Sequence, residues 1–252
     1  MRGVLLDISG VLIEGGHALP GASEAVEELD RAGLPHCYLT NTTQKDKAAV
    51  CAQLEACGFP VDPDLVLTPA GAAIDWLTEH GLSAHLLIHP GLAADFAGLP
   101  ETGDKAVVIG DAGQGFTYDA LNQAFRMLDR GAPFLALAHN RVFRDADGGL
   151  SLDTGAFVTA LEYASGTTAT VLGKPAPAFF AAGATALGLR LSDCAMIGDD
   201  AESDIAGALR AGAGAAYLTK TGKYHPGQPD TDPAPTATVA DVSAAVDAIL
   251  RG

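Results

Sequence analysis

The sequence predicts an α/β fold with a mostly parallel sheet, and three observations lead there. Strand-like and helix-like stretches alternate along most of the chain, punctuated by glycine and proline. The apolar run Val4-Leu5-Leu6 ends in Asp7, and near the other end of the chain Ala195-Met196-Ile197 runs into Gly198-Asp199-Asp200. Short unbroken apolar runs read as strands buried on both faces, as a parallel sheet requires. Such sheets bind ligands beyond the carboxyl ends of their strands. Two strands that each end in a carboxylate would therefore bring Asp7 and Asp199 into one crevice. Adjacent carboxylates repel unless a cation lies between them, and hard oxygen ligands suit Mg²⁺.

Each element follows from local pattern. Residues 4–7 open the series as a strand. A helix over 22–32 has Pro20 and Gly21 before it and Gly33 as its C-cap. The next strand is 36–39, followed by a helix over 43–56 that Gly58 closes. A short strand at 65–67 precedes a helix over 69–80 ended by Gly81. A second series then begins, with strands at 85–88, 106–109 and 134–138 separated by helices near 92–97 and 118–130. Asp147-Gly148-Gly149 lies between two alternating segments within 141–152 and signals a hairpin. Hairpins are unusual inside a purely parallel fold. Residues 76–165 are accordingly expected to form a separate, inserted α+β unit, leaving 1–75 and 166–252 as one core. The α/β pattern resumes with a strand at 169–172, a helix over 177–187 stopped by Gly188, and the strand 194–197. A helix near 203–211, a strand near 215–218 and a helix near 241–250 complete it. Residues 224–235 are polar and proline-rich and read as a surface loop.

Composition narrows the function. A net charge of −16 argues against nucleic acid and anionic membrane surfaces as partners. It also repels anionic substrates at long range, so a phosphate site must work through a metal, a lysine and helix amino termini. Cys37, Cys51, Cys57 and Cys194 form no C-x-x-C pair and read as free thiols of a reducing compartment. No basic segment followed by an apolar one opens the chain, and no apolar stretch approaches the ~18–20 residues that span a bilayer. A soluble, cytoplasmic protein is expected.

Four stations carry candidate chemistry. Asp7 is a candidate nucleophile, since a carboxylate that attacks phosphorus splits one hard displacement into two easier ones. An Asp ending a strand is, alone, as well explained by a turn. Thr40-Asn41-Thr42 follows the strand at 36–39, where hydroxyl and backbone N–H groups hold phosphate oxygens; helix capping is the ordinary alternative. Lys174, in Gly173-Lys174-Pro175, is placed to neutralise a phosphoryl oxygen, although most lysines are simply solvated. Gly198-Asp199-Asp200-Ala201-Glu202-Ser203-Asp204 opens a helix with four acidic side chains. The helix dipole accounts for Glu202 and for Asp200. It accounts less well for Asp199, at the strand end.

Taken together, the four stations resemble the motifs of the haloacid dehalogenase superfamily of phosphohydrolases. Asp7-Ile8-Ser9-Gly10-Val11 is similar to its first motif, Thr40 to its second, Lys174 to its third, and Gly198-Asp199 through Asp204 to its fourth. The order matches across both outer segments. The stretches 7–12, 39–43, 160–175 and 196–200 resemble one subfamily, which carries a large cap between the second and third motifs, where 76–165 falls. The resemblance implies a Rossmann-like three-layer core with an inserted cap. It implies that Asp7 attacks phosphorus, and that Asp7, the Ser9 carbonyl and Asp199 hold Mg²⁺. Thr40, Asn41, Thr42 and Lys174 would bind the phosphoryl group of a small phosphorylated substrate. Asp204 and Asp200 would orient metal-bound water. A homodimer through the cap is expected only because closed two-fold dimers are the commonest oligomers.

One position departs from most of the superfamily, which carries a second Asp two residues after the nucleophile as general acid and base. Ser9 stands there, as in the resembled subfamily. Two further signals are discounted. Gly110-Asp111-Ala112-Gly113-Gln114-Gly115 follows a strand as a phosphate loop does, but it matches no nucleotide motif and lacks the lysine. The scattered histidines make no zinc pattern. The expected activity is a phosphatase acting through an aspartyl-phosphate, with a phosphotransferase or a non-catalytic binding protein on the same fold as alternatives. Ser9 alone favours the last.

Overall fold

The computed structural model describes residues 1–144, 149–228 and 230–252. The chain begins with β1 (Gly3–Asp7), β2 (Ile13–Glu14), β3 (His17–Ala18), α1 (Ala22–Arg31), β4 (His36–Leu39), α2 (Lys47–Ala56) and β5 (Val66–Leu67). Next come α3 (Pro69–His80), β6 (Ser83–Leu87), β7 (Lys105–Ile109), α4 (Tyr118–Leu128), β8 (Phe134–Ala136), β9 (Val142–Arg144), β10 (Leu150–Leu152), α5 (Thr154–Ser165) and β11 (Thr170–Val171). The last series is α6 (Pro177–Ala186), β12 (Cys194–Gly198), α7 (Gly207–Ala211), β13 (Ala215–Thr219), β14 (Ala237–Val239) and α8 (Val242–Arg251).

Two compact units result. One comprises Met1–Thr40, Ala48–Leu67 and Lys174–Gly252, the other Asn41–Lys47 and Thr68–Gly173. The first holds a sheet in the order β14-β13-β12-β1-β4-β5, parallel at every pairing. The fold class is therefore α/β, as its apolar strands require. Every residue of β1, β4, β12 and β13 is buried, because helices cover both faces. Val4 and Leu6 join α1 and α8 in one core cluster. Leu5 and Leu39 face the opposite way, toward Gly183 of α6, where an added Cβ would lie 3.1 and 3.3 Å from them. This is a three-layer arrangement.

The second unit has its own parallel sheet, β11-β8-β7-β6. β9 and β10 pair antiparallel beside it, as the hairpin signal implies; Asp147 and Gly148 of the expected turn lie outside the described residues. The antiparallel component expected of an α+β segment is thus confined to that hairpin. The unit is also wider than 76–165. It takes in α3, whose Ala70, Ala73 and Leu77 pack against the buried residues Val108 and Leu135 of its sheet. It also takes in β11, assigned above to the core. Thr170 and Val171 instead pair with Leu135 and Ala136 of β8.

Other differences have local causes. The helix expected from residue 43 starts at Lys47, whose N–H donates to the Asp95 carboxylate at 3.1 Å. Residues 92–97 form no α-helix but belong to two 3₁₀ turns, Pro90–Leu92 and Asp95–Gly98, because a run bounded by Gly91 and Gly98 is too short to nucleate one. Helix α5 and strand β14 were not expected. The former carries a legible start and stop, with Asp153 accepting from Thr154 N–H and Gly166 left-handed at its end. The β2–β3 hairpin turns on Gly15 and Gly16, both at positive φ (57° and 83°), as a tight two-residue hairpin demands.

Phe180, fully buried on α6, tests the second face of the core. Phe180→Ala should cost about 3–5 kcal/mol, read as a lower urea midpoint.

Candidate active site

Strand β1 lies between β12 and β4, and the order of crossover connections reverses at this point. Leu6 is level with Ile197 and Asp7 with Leu39. Asp7 therefore ends β1, while Asp199 and Thr40 are the first residues past β12 and β4. Three of the four sequence stations thus converge at one end of one sheet. Lys174 reaches it from the segment before α6.

Its ammonium is the centre of the cluster. Lys174 Nζ lies 2.5 Å from Asp7 Oδ1 and 2.7 Å from Asp204 Oδ1. Ligand oxygens of Asp7, Asp199 and Asp204 all lie within 4.8 Å of one another. Asp7, Asp199, Asp204 and Lys174 are exposed by only 6, 3, 1 and 4%. Asp204 gets there through a π-turn over Ala201–Ala206, a distortion frequent at functional sites. It also needs Gly198, where a Cβ would come within 2.3 Å of the Asp204 Cβ. The Asp200 N–H donates to Asp204 Oδ2 at 3.1 Å.

Electrostatics follow from this crowding. Burial pushes the Asp7 carboxyl up to about 7; the Lys174 charge opposes that, while Asp204 and Asp199 reinforce it. Lys174 does not hold Asp7 low, because burial outweighs its charge. Burial and Asp204 likewise push Asp199 up to about 6, against the N–H it accepts from Lys223. Burial works against the Lys174 ammonium, but Asp204 and Asp7 outweigh it and hold it above the ordinary lysine value.

Other expected site residues are placed differently. Asp200 follows Asp199 at the start of the π-turn. It caps the π-turn, accepting from Glu202 and Ser203 N–H, and pairs with Lys223 Nζ at 3.1 Å. That ammonium and those bonds outweigh burial and keep its carboxyl below the usual range. Asp204 contacts Lys174 directly. Ser9 is exposed. Thr40 is buried, and its N–H donates to Leu67 O at 3.1 Å. Asn41 and Thr42 group with the second unit. Lys223 was missed. Its N–H donates to Asp199 Oδ2 at 2.7 Å. The same carboxyl-end rule flags it, since Lys220-Thr221-Gly222-Lys223 directly follows β13.

A family model described as haloacid dehalogenase-like hydrolase matches residues 4–113, and a second, described as HAD-hydrolase-like, matches 171–245. The phospholysine phosphohistidine inorganic pyrophosphate phosphatase of Homo sapiens is 42% identical over 232 residues, covering 90% of this chain and 85% of the relative. The chain belongs to the haloacid dehalogenase-like hydrolases. Haloacid dehalogenase-like hydrolase domain-containing protein 2 of Bos taurus is 39% identical over 252 residues, covering 100% of this chain and 96% of that protein. The 4-nitrophenylphosphatase of Thermotoga maritima shares the fold of this hydrolase with a TM-score of 0.88 and 24% identity, covering 99% of this chain and 97% of that one. Among the described residues, no helix is long and apolar enough to cross a membrane.

The raised carboxyl groups make stability depend on pH. Asp7 and Asp199 bind protons more tightly folded than unfolded, between the ordinary value of 3.8 and about 7 and 6 respectively. Stability of the metal-free protein should therefore fall as pH rises from about 4 to 7. Lys174, raised from an already high value, adds no slope there. Thermal melts across this range should fall for the wild type and flatten for Asp7→Asn.

Proposed function

We propose that this protein is a magnesium-dependent phosphatase that forms an aspartyl-phosphate on Asp7. One observation carries the reading. Three buried carboxylates lie within 4.8 Å of one another and two of them share the buried Lys174 ammonium, leaving local negative charge that a divalent cation would balance. Asp7, Asp199 and the Ser9 carbonyl offer the hard oxygen donors Mg²⁺ takes, and the residues present fit that ion. Bound there, Mg²⁺ would supply positive charge against the phosphoryl oxygens.

The remaining chemistry belongs to the chain. Lys174 grips one oxygen of Asp7, orienting the carboxylate toward phosphorus and reducing its repulsion from an anionic target. Attack by Asp7 forms the acyl-phosphate and expels the leaving group; water then cleaves it and regenerates the carboxylate. Thr40 and the residues after it, Asn41 and Thr42, would hold phosphoryl oxygens. Asp204 keeps Lys174 charged and in place.

Ser9 shapes substrate choice. A positioned general acid contributes roughly 10²–10⁴-fold, or about 3–5 kcal/mol of barrier. A serine hydroxyl is too weak an acid for this work, so an alkoxide would depart carrying nearly its full charge. A protonated P–N leaving group, a phosphate or an aryl oxide needs less help. The name of the 42% identical human relative lists phospholysine, phosphohistidine and inorganic pyrophosphate, which are P–N and anhydride substrates.

Two measurements test the proposal. Asp7→Asn should fold and lose turnover, since an amide is a poor nucleophile, and wild-type phosphate release should stop with chelator and return with Mg²⁺. Substantial turnover by the variant would sink the mechanism. In a series of phosphate esters, rate should fall steeply as leaving-group pKa rises, and Ser9→Asp should flatten the slope. Equal rates for alkyl and aryl phosphates, with chemistry rate-limiting, would show that another group delivers the proton.

A further inference from the structure

The turn over residues 219–223 holds one oxygen of Asp199 from two sides. Lys223 N–H donates to Asp199 Oδ2 at 2.7 Å. Gly222, at φ +55°, presses against the same oxygen: a Cβ there would lie 1.9 Å from Oδ2 and 2.6 Å from the Gly10 Cα. Gly10 belongs to the nucleophile loop and sits at φ +80°, with its own hypothetical Cβ 2.1 Å from that oxygen. Asp199 Oδ2 is therefore seated where two glycine backbones meet, and no side chain fits at either.

The turn is itself braced. Thr219 Oγ1 donates to Gly198 O at 3.3 Å, and Thr221 Oγ1 donates to Thr219 Oγ1 at 2.9 Å. Lys223 Nζ anchors the far end on Asp200 Oδ2 at 3.1 Å. Beyond it lies a cavity of about 440 Å³, lined by Asp199, Asp200, Lys223 and His225 among others.

We propose that Gly222 and the Lys223 N–H are positioning residues for the metal carboxylate: they reserve Oδ2 of Asp199 and present its other oxygen to the cation. A carboxylate held at one oxygen cannot rotate to chelate through both. The turn thus selects a single-oxygen ligand of fixed direction, which suits the strict geometry of Mg²⁺. The inference rests on the magnesium reading above.

Calorimetric titration of Mg²⁺ into the whole protein separates the two. Wild-type protein should bind Mg²⁺; if it does not, the magnesium reading fails and this inference falls with it. Gly222→Ala, its fold checked by circular dichroism, should bind Mg²⁺ roughly 10–100-fold more weakly, the usual loss for an outer-shell partner. Turnover should then need correspondingly more Mg²⁺, while KM for a phosphate ester at saturating Mg²⁺ changes little. Should Gly222→Ala not fold, Thr221→Val keeps the shape and removes one brace. Losing that hydrogen bond should weaken Mg²⁺ by roughly 2–10-fold. Wild-type Mg²⁺ affinity in a folded Gly222→Ala variant, or in Thr221→Val where the former does not fold, overturns the assignment.

Discussion

The site depends on one ammonium. Lys174 is almost wholly buried between Asp7 and Asp204, with Asp199 in the same cluster. Removing an ion from water costs several kcal/mol even after relaxation, so none of these groups would be stable there alone. The arrangement persists because each charge has partners within hydrogen-bond reach, supplied by rigid backbone. β1 and β12 end at the same level of the sheet, and the π-turn after β12 folds Asp204 back toward the lysine. The parallel sheet is therefore more than scaffolding. It sets the directions from which Asp7 and Asp199 meet.

That constraint explains where glycine is compulsory. Gly198 admits the Asp204 side chain, and Gly10 with Gly222 admits the Asp199 carboxylate. In each case a methyl group would occupy space that a charged oxygen or its carbon already fills. Close packing around charge also excludes water, and it leaves Asp7 and Asp199 protonated more readily than ordinary carboxyls. The price is a metal-free state in which like charges crowd together. The proposed divalent cation would relieve what the fold has concentrated.

Much of this was legible in the chain. The buried strands announced themselves as unbroken apolar runs, the rule that parallel sheets act at their carboxyl ends brought Asp7 and Asp199 together, and the resemblance added Thr40. Short-range signals served less well where tertiary pairing decided the outcome. β11 looks like a core strand because it leads into Lys174, yet its two residues pair with β8. Nothing local distinguishes those alternatives in a strand of two residues. The resemblance gave Asp200 and Asp204 one role, orienting metal-bound water. The π-turn separates them, directing one to cap backbone and the other to the lysine. Lys223 escaped notice because its backbone N–H does the work nearest the site, and backbone donors leave no trace in residue type.

The overall charge of −16 and the proposed use of anionic substrates are reconciled by range. At ~0.1 M salt, exposed charges are screened beyond roughly 10 Å, so most of the acidic surface exerts little force on a phosphate already at the site. Buried charges are screened far less. What a bound phosphate meets is set by Lys174, by backbone N–H groups and by whatever cation the three carboxylates hold. An ammonium already gripped by two carboxylates contributes little net attraction by itself. The carboxylates must be neutralised from another direction before Lys174 can serve an anion. For that reason the proposed chemistry calls for a metal beside the same cluster that binds the lysine.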